Sequence, residues 1–287
     1  MPTIGNASKR TLSNFSHPSR TFFRQSFELQ PLRNGATRRF SHKVYFPPEV
    51  PDTEPSVLRA LWLLIGLNTV VFGGWQYAEY KRDSGLLRTL QDNFLLSWNN
   101  VRNGRPWVTL TSAFSHMGFQ HFTFNMFSLY TFGYVLTHMP GLKASRILTL
   151  CLGSGLAGSA AWLYERQAPA RTNSVWDRAV ARFREGNSAL LGQATALGAS
   201  GMVMGVGAAA TLFAPLYPVR LYFLPRIPLF VSTIGFLAVD TYFLGSDRTG
   251  IGHSAHLGGA VFGAAFYLLS LRRIAGGLFV GPRRWFM

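Results

Sequence analysis

The sequence predicts an all-α, polytopic membrane protein with six transmembrane helices, and three observations carry that expectation. Charged residues make up only 14% of the 287, against roughly 25% in an ordinary soluble domain. Those charges are clustered, so that 60–78 and 147–164 contain no Asp, Glu, Lys or Arg. Helix-stopping signals then divide the apolar sequence into segments near the roughly 20 residues that a bilayer core of about 30 Å requires.

In chain order, residues 1–45 come first and read as an address. They hold Lys9, Arg10, Arg20, Arg24, Arg33, Arg38, Arg39 and Lys43 against the single acid Glu28, with abundant Ser and Thr. An Arg-rich, Ser-rich, acid-poor start without an apolar core is the composition of a mitochondrial transit peptide. Arg38-Arg39-Phe40-Ser41 resembles a matrix-protease cleavage pattern and places the cut near residue 40. A linker, 46–57, leads to a membrane core over 58–272, and a basic tail, 273–287, follows.

Within the core, spans are expected at 58–78, 113–137, 145–164, 188–213, 227–244 and 254–272. Pro140-Gly141, the charged stretch 165–186, the prolines at 215, 218, 225 and 228, and Gly245-Ser-Asp-Arg separate them. No span is read ahead of this core. Six spans put both ends on one side, with the basic residues Lys143, Arg220, Arg226, Arg272, Arg273, Arg283 and Arg284. Short basic segments stay inside, here the matrix.

Composition also excludes several classes. One cysteine, Cys151 in an apolar run, leaves no intrachain disulfide framework and no zinc site of the paired-cysteine type; neither metal nor cofactor is called for. The net charge of +16 accompanies no nucleic-acid motif, and membrane-flanking charge explains it more simply. The partner expected from the core itself is the lipid bilayer.

Ionisable and polar groups within membrane spans are costly and usually functional. The candidates are His116, His121, Asn125, Ser200, Asp240, His253 and His256. If alternate spans run the same way, all of them share a depth toward the outer side. Gly201 and Gly205 follow Ser200 at four-residue spacing, and Gly259 and Gly263 follow His256 likewise. Glycines so spaced let helix backbones approach closely in lipid, and facing grooves would bring Ser200 to His256. His253 is expected to be a packing residue of the preceding loop.

Three motifs now resemble one family. Gly198-Ala199-Ser200-Gly201 looks like the GxSG nucleophile motif of rhomboid intramembrane proteases. Residues 255–263, AHLGGAVFG, are similar to that family's AHxxGxxxG, and His121-Phe-Thr-Phe-Asn125 matches its HxxxN. His116 matches a histidine frequent nearby and is a candidate for lining the site. The wording around 107–133 and 255–263 resembles the mitochondrial branch. Arg105-Pro106-Trp107 stands near the place of the Trp-Arg motif common in bacterial members.

The resemblance implies a six-helix rhomboid core and a serine endopeptidase that uses Ser200 as nucleophile and His256 as base. Its oxyanion hole would be the Ser200 N–H with donors from His121 and Asn125. The implied setting is the mitochondrial inner membrane, with the site facing the intermembrane space. The implied substrates are transmembrane proteins, such as a dynamin-like GTPase, a peroxidase or a kinase precursor. The resemblance also implies a two-residue dyad, which leaves Asp240 a structural role, bonding backbone groups at the end of the fifth span. The rival expectation is a rhomboid-like protein that binds membrane clients without cutting them.

Overall fold

A computed structural model describes residues 54–167, 195–220, 225–244 and 251–276. The expected transit segment, most of the expected linker, residues 168–194 and the tail beyond 276 lie outside the described residues. Helix α1 (Pro55–Lys81) opens with proline at its first position and closes on Arg82 in the left-handed conformation, φ 53°. The chain then folds back into α2 (Ser84–Phe94), capped by the Asp83 carboxylate, which accepts from the Leu86 N–H at 3.0 Å. Ser97 caps the short α3 (Trp98–Arg102) in the same way, accepting from Asn100 N–H.

After α4 (Val108–Thr111) and a 3₁₀ turn, five longer helical segments build the core. They are α5 (Phe119–Thr137), α6 (Ala144–Gln167), α7 (Ser200–Phe213), α8 (Leu229–Tyr242) and α9 (His253–Phe266). A π-turn (Tyr267–Leu271) carries α9 into α10 (Arg272–Ala275). A small hairpin, β1 (Pro218–Val219) with β2 (Ile227–Pro228), closes the turn between α7 and α8.

Among the described residues, three helices can cross a membrane by length and composition: α1, α6 and the continuous run His253–Ala275. Their outward side chains are apolar too, with Val70 74%, Val261 69% and Leu269 75% exposed. Helices apolar on the outside as well as the inside belong in lipid. Helices α7 and α8 are apolar but have 14 residues each. At a 1.5 Å rise they reach about 21 Å, short of the roughly 30 Å hydrocarbon core.

Two expected boundaries therefore move. The fourth span was expected from residue 188, yet 195–199 is non-helical and pairs in a bridge, Ala196 with Leu96. The second was expected from 113 but its helix begins at Phe119, because 112–118 forms the 3₁₀ turn and a loop. The segment 79–106, which lies between the first two expected spans, is a folded platform. Leu90 packs with Trp75 and Ala78 of α1. Arg105 pairs with Asp92 at 3.0 Å and Trp107 donates its indole N–H to Asn93 Oδ1 at 3.1 Å. Those two contacts are what the Arg105-Pro106-Trp107 motif does here: it ties the platform to α2.

Helices that follow one another in the core run antiparallel, whereas α7 and α9 lie parallel, Gly201 beside Gly259 and Gly205 beside Gly263. The Glu54 N–H donates to Thr137 O at one end of the α1–α5 pair, and the Trp75 indole donates to Ser115 Oγ (2.7 Å) at the other. The centre is the α6–α7–α9 packing, where glycines replace side chains. A Cβ on Gly259 would collide with the Gly201 carbonyl, and one on Gly263 with that of Gly205. The two expected grooves do face each other. Helix α6 completes the contact: a Cβ on Gly158 would stand 2.7 Å from Ala255 O, and one on Gly258 2.7 Å from Ala157 O.

Candidate active site

The antiparallel order brings the starts of α5, α7 and α9 together with the ends of α6 and α8. They enclose a cavity of about 860 Å³ that is lined by His121, Asn125, Ser200, Asp240, His253 and His256, among others. Every polar candidate named from the sequence except His116 lines it. Ser200 is the first residue of α7, so the N–H groups of that first turn have no acceptor within their own helix. The Ala255 carbonyl, one residue before His256, lies 3.5 Å from where a Cβ would sit on Gly201, one residue after Ser200. The Gly–Gly contact thus holds nucleophile and base candidates on touching backbones.

The approach to Ser200 is fixed residue by residue. Ala196 is held by Leu96 through two backbone hydrogen bonds of 2.9 Å, and Gly198 N–H donates to Ser112 O at 2.9 Å. Gly198 has φ 128°, and a Cβ on it would stand 2.7 Å from His121 Cε1. Only glycine meets both conditions. The next N–H, that of Ala199, donates to His116 Nε2 at 3.2 Å. His116 sits in the loop ahead of α5 and is fully buried. Burial first, and His121 second, push its pKa down to about 3, so the ring is neutral and Nε2 is free to accept. His116 therefore supports the nucleophile turn from behind rather than lining the cavity.

His121 and Asn125 occupy one face of α5, one turn apart, and the Asn125 amide donates to His121 O at 2.9 Å. An amide nitrogen carries two N–H donors, so one remains after this bond. The His121 ring stands against His116, centroids 5.0 Å apart.

Asp240 departs from its expected role. It is 4% exposed, and its Oδ1 accepts from two imidazoles rather than from backbone groups: His253 Nδ1 at 2.7 Å and His256 Nδ1 at 2.9 Å. His253 is likewise not a loop residue. It opens α9, is 3% exposed, and lies one turn from His256 on the face toward α8. These three are the one set of metal-ligating groups found among the described residues, with ligand atoms within 4.8 Å of one another. Both ring nitrogens nearest the carboxylate are already engaged with it.

Sequence reasoning missed the α6 side of the site. Trp162 is buried against it, and Ser254 donates to Glu165 Oε2 at 2.6 Å, tying α9's first turn to the end of α6. The small-residue run from Gly153 to Gly158 was the available signal.

Comparison with known proteins agrees with this architecture. Residues 103–273 match the family profile described as "Rhomboid domain". "RHOMBOID-like protein 12, mitochondrial" of Arabidopsis thaliana is 30% identical over 175 residues, 61% of this chain and 49% of that protein. "Rhomboid protein 1, mitochondrial" of Saccharomyces cerevisiae is 29% identical over 208 residues, 72% of this chain and 51% of that protein. The chain spans about half the length of these two relatives. With the family profile covering more than half of its residues, the chain belongs to the rhomboid family.

Proposed function

We propose that this protein is an intramembrane serine endopeptidase of the mitochondrial inner membrane that cleaves transmembrane segments with Ser200 and His256. The observation that carries this is the joining of the two residues in one cavity by helices that touch at Gly201 and Gly259. Ser200 Oγ attacks the scissile carbonyl as His256 Nε2 takes its proton. The imidazolium then passes that proton to the leaving amine, and water releases the acyl group by the same route.

The negative charge on the tetrahedral oxygen falls to the Ser200 N–H at the start of α7, the second Asn125 N–H and the His121 ring. Loss of one such donor in serine enzymes costs about 2.7–4 kcal/mol of barrier. Water must reach these groups, so the cavity opens to the aqueous side rather than to lipid. A substrate helix has its backbone bonds satisfied and unwinds locally before it is cut. Six spans, with the short α7 and α8 among them, complete the core of this reading. The mitochondrial names of the relatives and the basic first 45 residues support the compartment. Release of substrate domains to the intermembrane space follows from a site on that face.

Purified protein in detergent, offered a model transmembrane substrate, tests the proposal. Wild type cleaves it, whereas Ser200→Ala and His256→Ala lose cleavage by at least about 10³-fold with thermal unfolding unchanged. Full activity in either variant refutes the assignment, and no cleavage by wild type favours the client-binding alternative.

A further inference from the structure

We infer that Asp240 is the positioning residue for His256, so that the site works as a buried Ser200–His256–Asp240 triad in which His253 steadies the acid. The inference rests on the proteolytic reading and adds to it a group that a two-residue dyad does not contain.

The geometry is specific. Asp240 lies in the last turn of α8, and His253 and His256 lie three residues apart in the first turn of α9. At that spacing two side chains share a helix face, and both rings turn their Nδ1 atoms to one oxygen, at 2.7 and 2.9 Å. The carboxylate is 5% exposed and the His253 side chain 3%, while the His256 side chain is 19% exposed. The acid is thus enclosed, and His256 is the more accessible of its two ring partners. A carboxylate buried without compensation is expensive. Here two charge-assisted hydrogen bonds offset the cost, as does the adjacent N-terminal end of α9, the positive end of the helix dipole.

The chemical consequence concerns the tautomer. A neutral imidazole has one donor and one acceptor nitrogen. A ring that donates Nδ1–H to Asp240 carries its lone pair on Nε2, the form able to take the Ser200 proton. The imidazolium formed during attack then sits against the Asp240 carboxylate, 2.9 Å from its Nδ1. His253, on the same oxygen, fixes the carboxylate's rotation so that it cannot swing away from His256. An amide at 240 undoes this: turning its N–H₂ toward His256 obliges Nδ1 to accept and puts the proton on Nε2.

Two measurements test the inference. First, kcat and KM for a transmembrane substrate are compared in wild type, Ser200→Ala and Asp240→Asn. Asp240→Asn is expected to lower kcat about 100-fold or more, in the direction of the 10⁴-fold loss known for such a change in another triad. KM stays within about threefold, since uniform binding is untouched. A merely structural acid would lower stability and not this ratio. Retention of more than a tenth of wild-type kcat overturns the inference. Second, ¹⁵N spectra of wild-type protein in detergent, at a pH where His256 is neutral, read its tautomer without relying on a variant that folds. Nδ1–H is expected, and Nε2–H overturns the inference. Should wild type cleave no better than Ser200→Ala, the protease reading fails, and the tautomer alone then decides the Asp240–His256 contact.

Discussion

At Gly198 two independent constraints fall on one Cα: φ 128°, a conformation essentially reserved for glycine, and the His121 ring 2.7 Å from any added Cβ. Gly198→Ala is therefore expected to cost about 1–3 kcal/mol of backbone strain. It should also push the His121 ring off its place, reducing cleavage far more than stability. Thermal unfolding and kcat/KM measured on the same preparation check this, and an active, unshifted variant contradicts it. Gly198, Ser200, His121 and His256 were legible in the sequence because each belongs to a short motif, with His121 and Asn125 one turn apart on a single helix face. Asp240 was legible only as an acid out of place. Its partners depend on how α8 meets α9, and the sequence between those helices carries no motif that announces the meeting. His253 was misjudged for a related reason: its position reads as loop until α9 is seen to begin at that residue.

At the scale of elements, α6, α7 and α9 are held by backbone on backbone, and this makes glycine substitutions sharply unequal. A Cβ on Gly263 meets the carbonyl, C and Cα of Gly205, none of which a rotamer change can move. Helices that pack through such contacts must separate to admit a methyl group, losing dispersion along the seam. Gly263→Ala is expected to destabilise by about 1–3 kcal/mol, the range for overpacking a filled core. Gly235, in mid-α8, has nothing within 4 Å of an added Cβ. Gly235→Ala is accordingly expected to be neutral or to stabilise by up to about 1 kcal/mol through reduced backbone freedom. Unfolding of both variants in one detergent compares them directly, and equal losses would contradict a glycine-mediated seam. The repeated Gly-x-x-x-Gly spacing made the α7–α9 half of this seam readable. The α6 half was hidden because its glycines, 153, 155 and 158, follow no single four-residue period. The platform before α5 was hidden as well. Helices of 11 and 5 residues amid mixed charge look like loop until Asp83 and Ser97 are recognised as caps.

For the molecule as a whole, the two ends of the core differ in chemistry, and the difference predicts an orientation. One end carries the cavity together with the platform residues Arg105 and Trp107. The other gathers Lys143, Arg220 and Arg226 around the short turns and Arg272 and Arg273 at the end of the last helix. Short segments rich in Lys and Arg remain on the side from which the protein inserts. The basic end is thus expected in the matrix and the cavity toward the intermembrane space. Cys151 makes a clean test feasible: it is fully buried in the core, and burial in apolar surroundings leaves a thiol unreactive. A cysteine introduced at exposed Asn103, on the platform, or at exposed Arg226, on the hairpin turn, therefore reports alone. In mitoplasts, whose outer membrane is open and inner membrane sealed, a membrane-impermeant maleimide is expected to label Asn103→Cys at once. Arg226→Cys should react only after detergent, and the unsubstituted protein in neither case. N-terminal sequencing of the same material is expected to begin near residue 41 if the basic leader is a cleaved presequence. Labelling of Arg226→Cys in sealed mitoplasts, with Asn103→Cys protected, would reverse the orientation. The cavity would then open to the matrix, and substrates would have to be cut from that face.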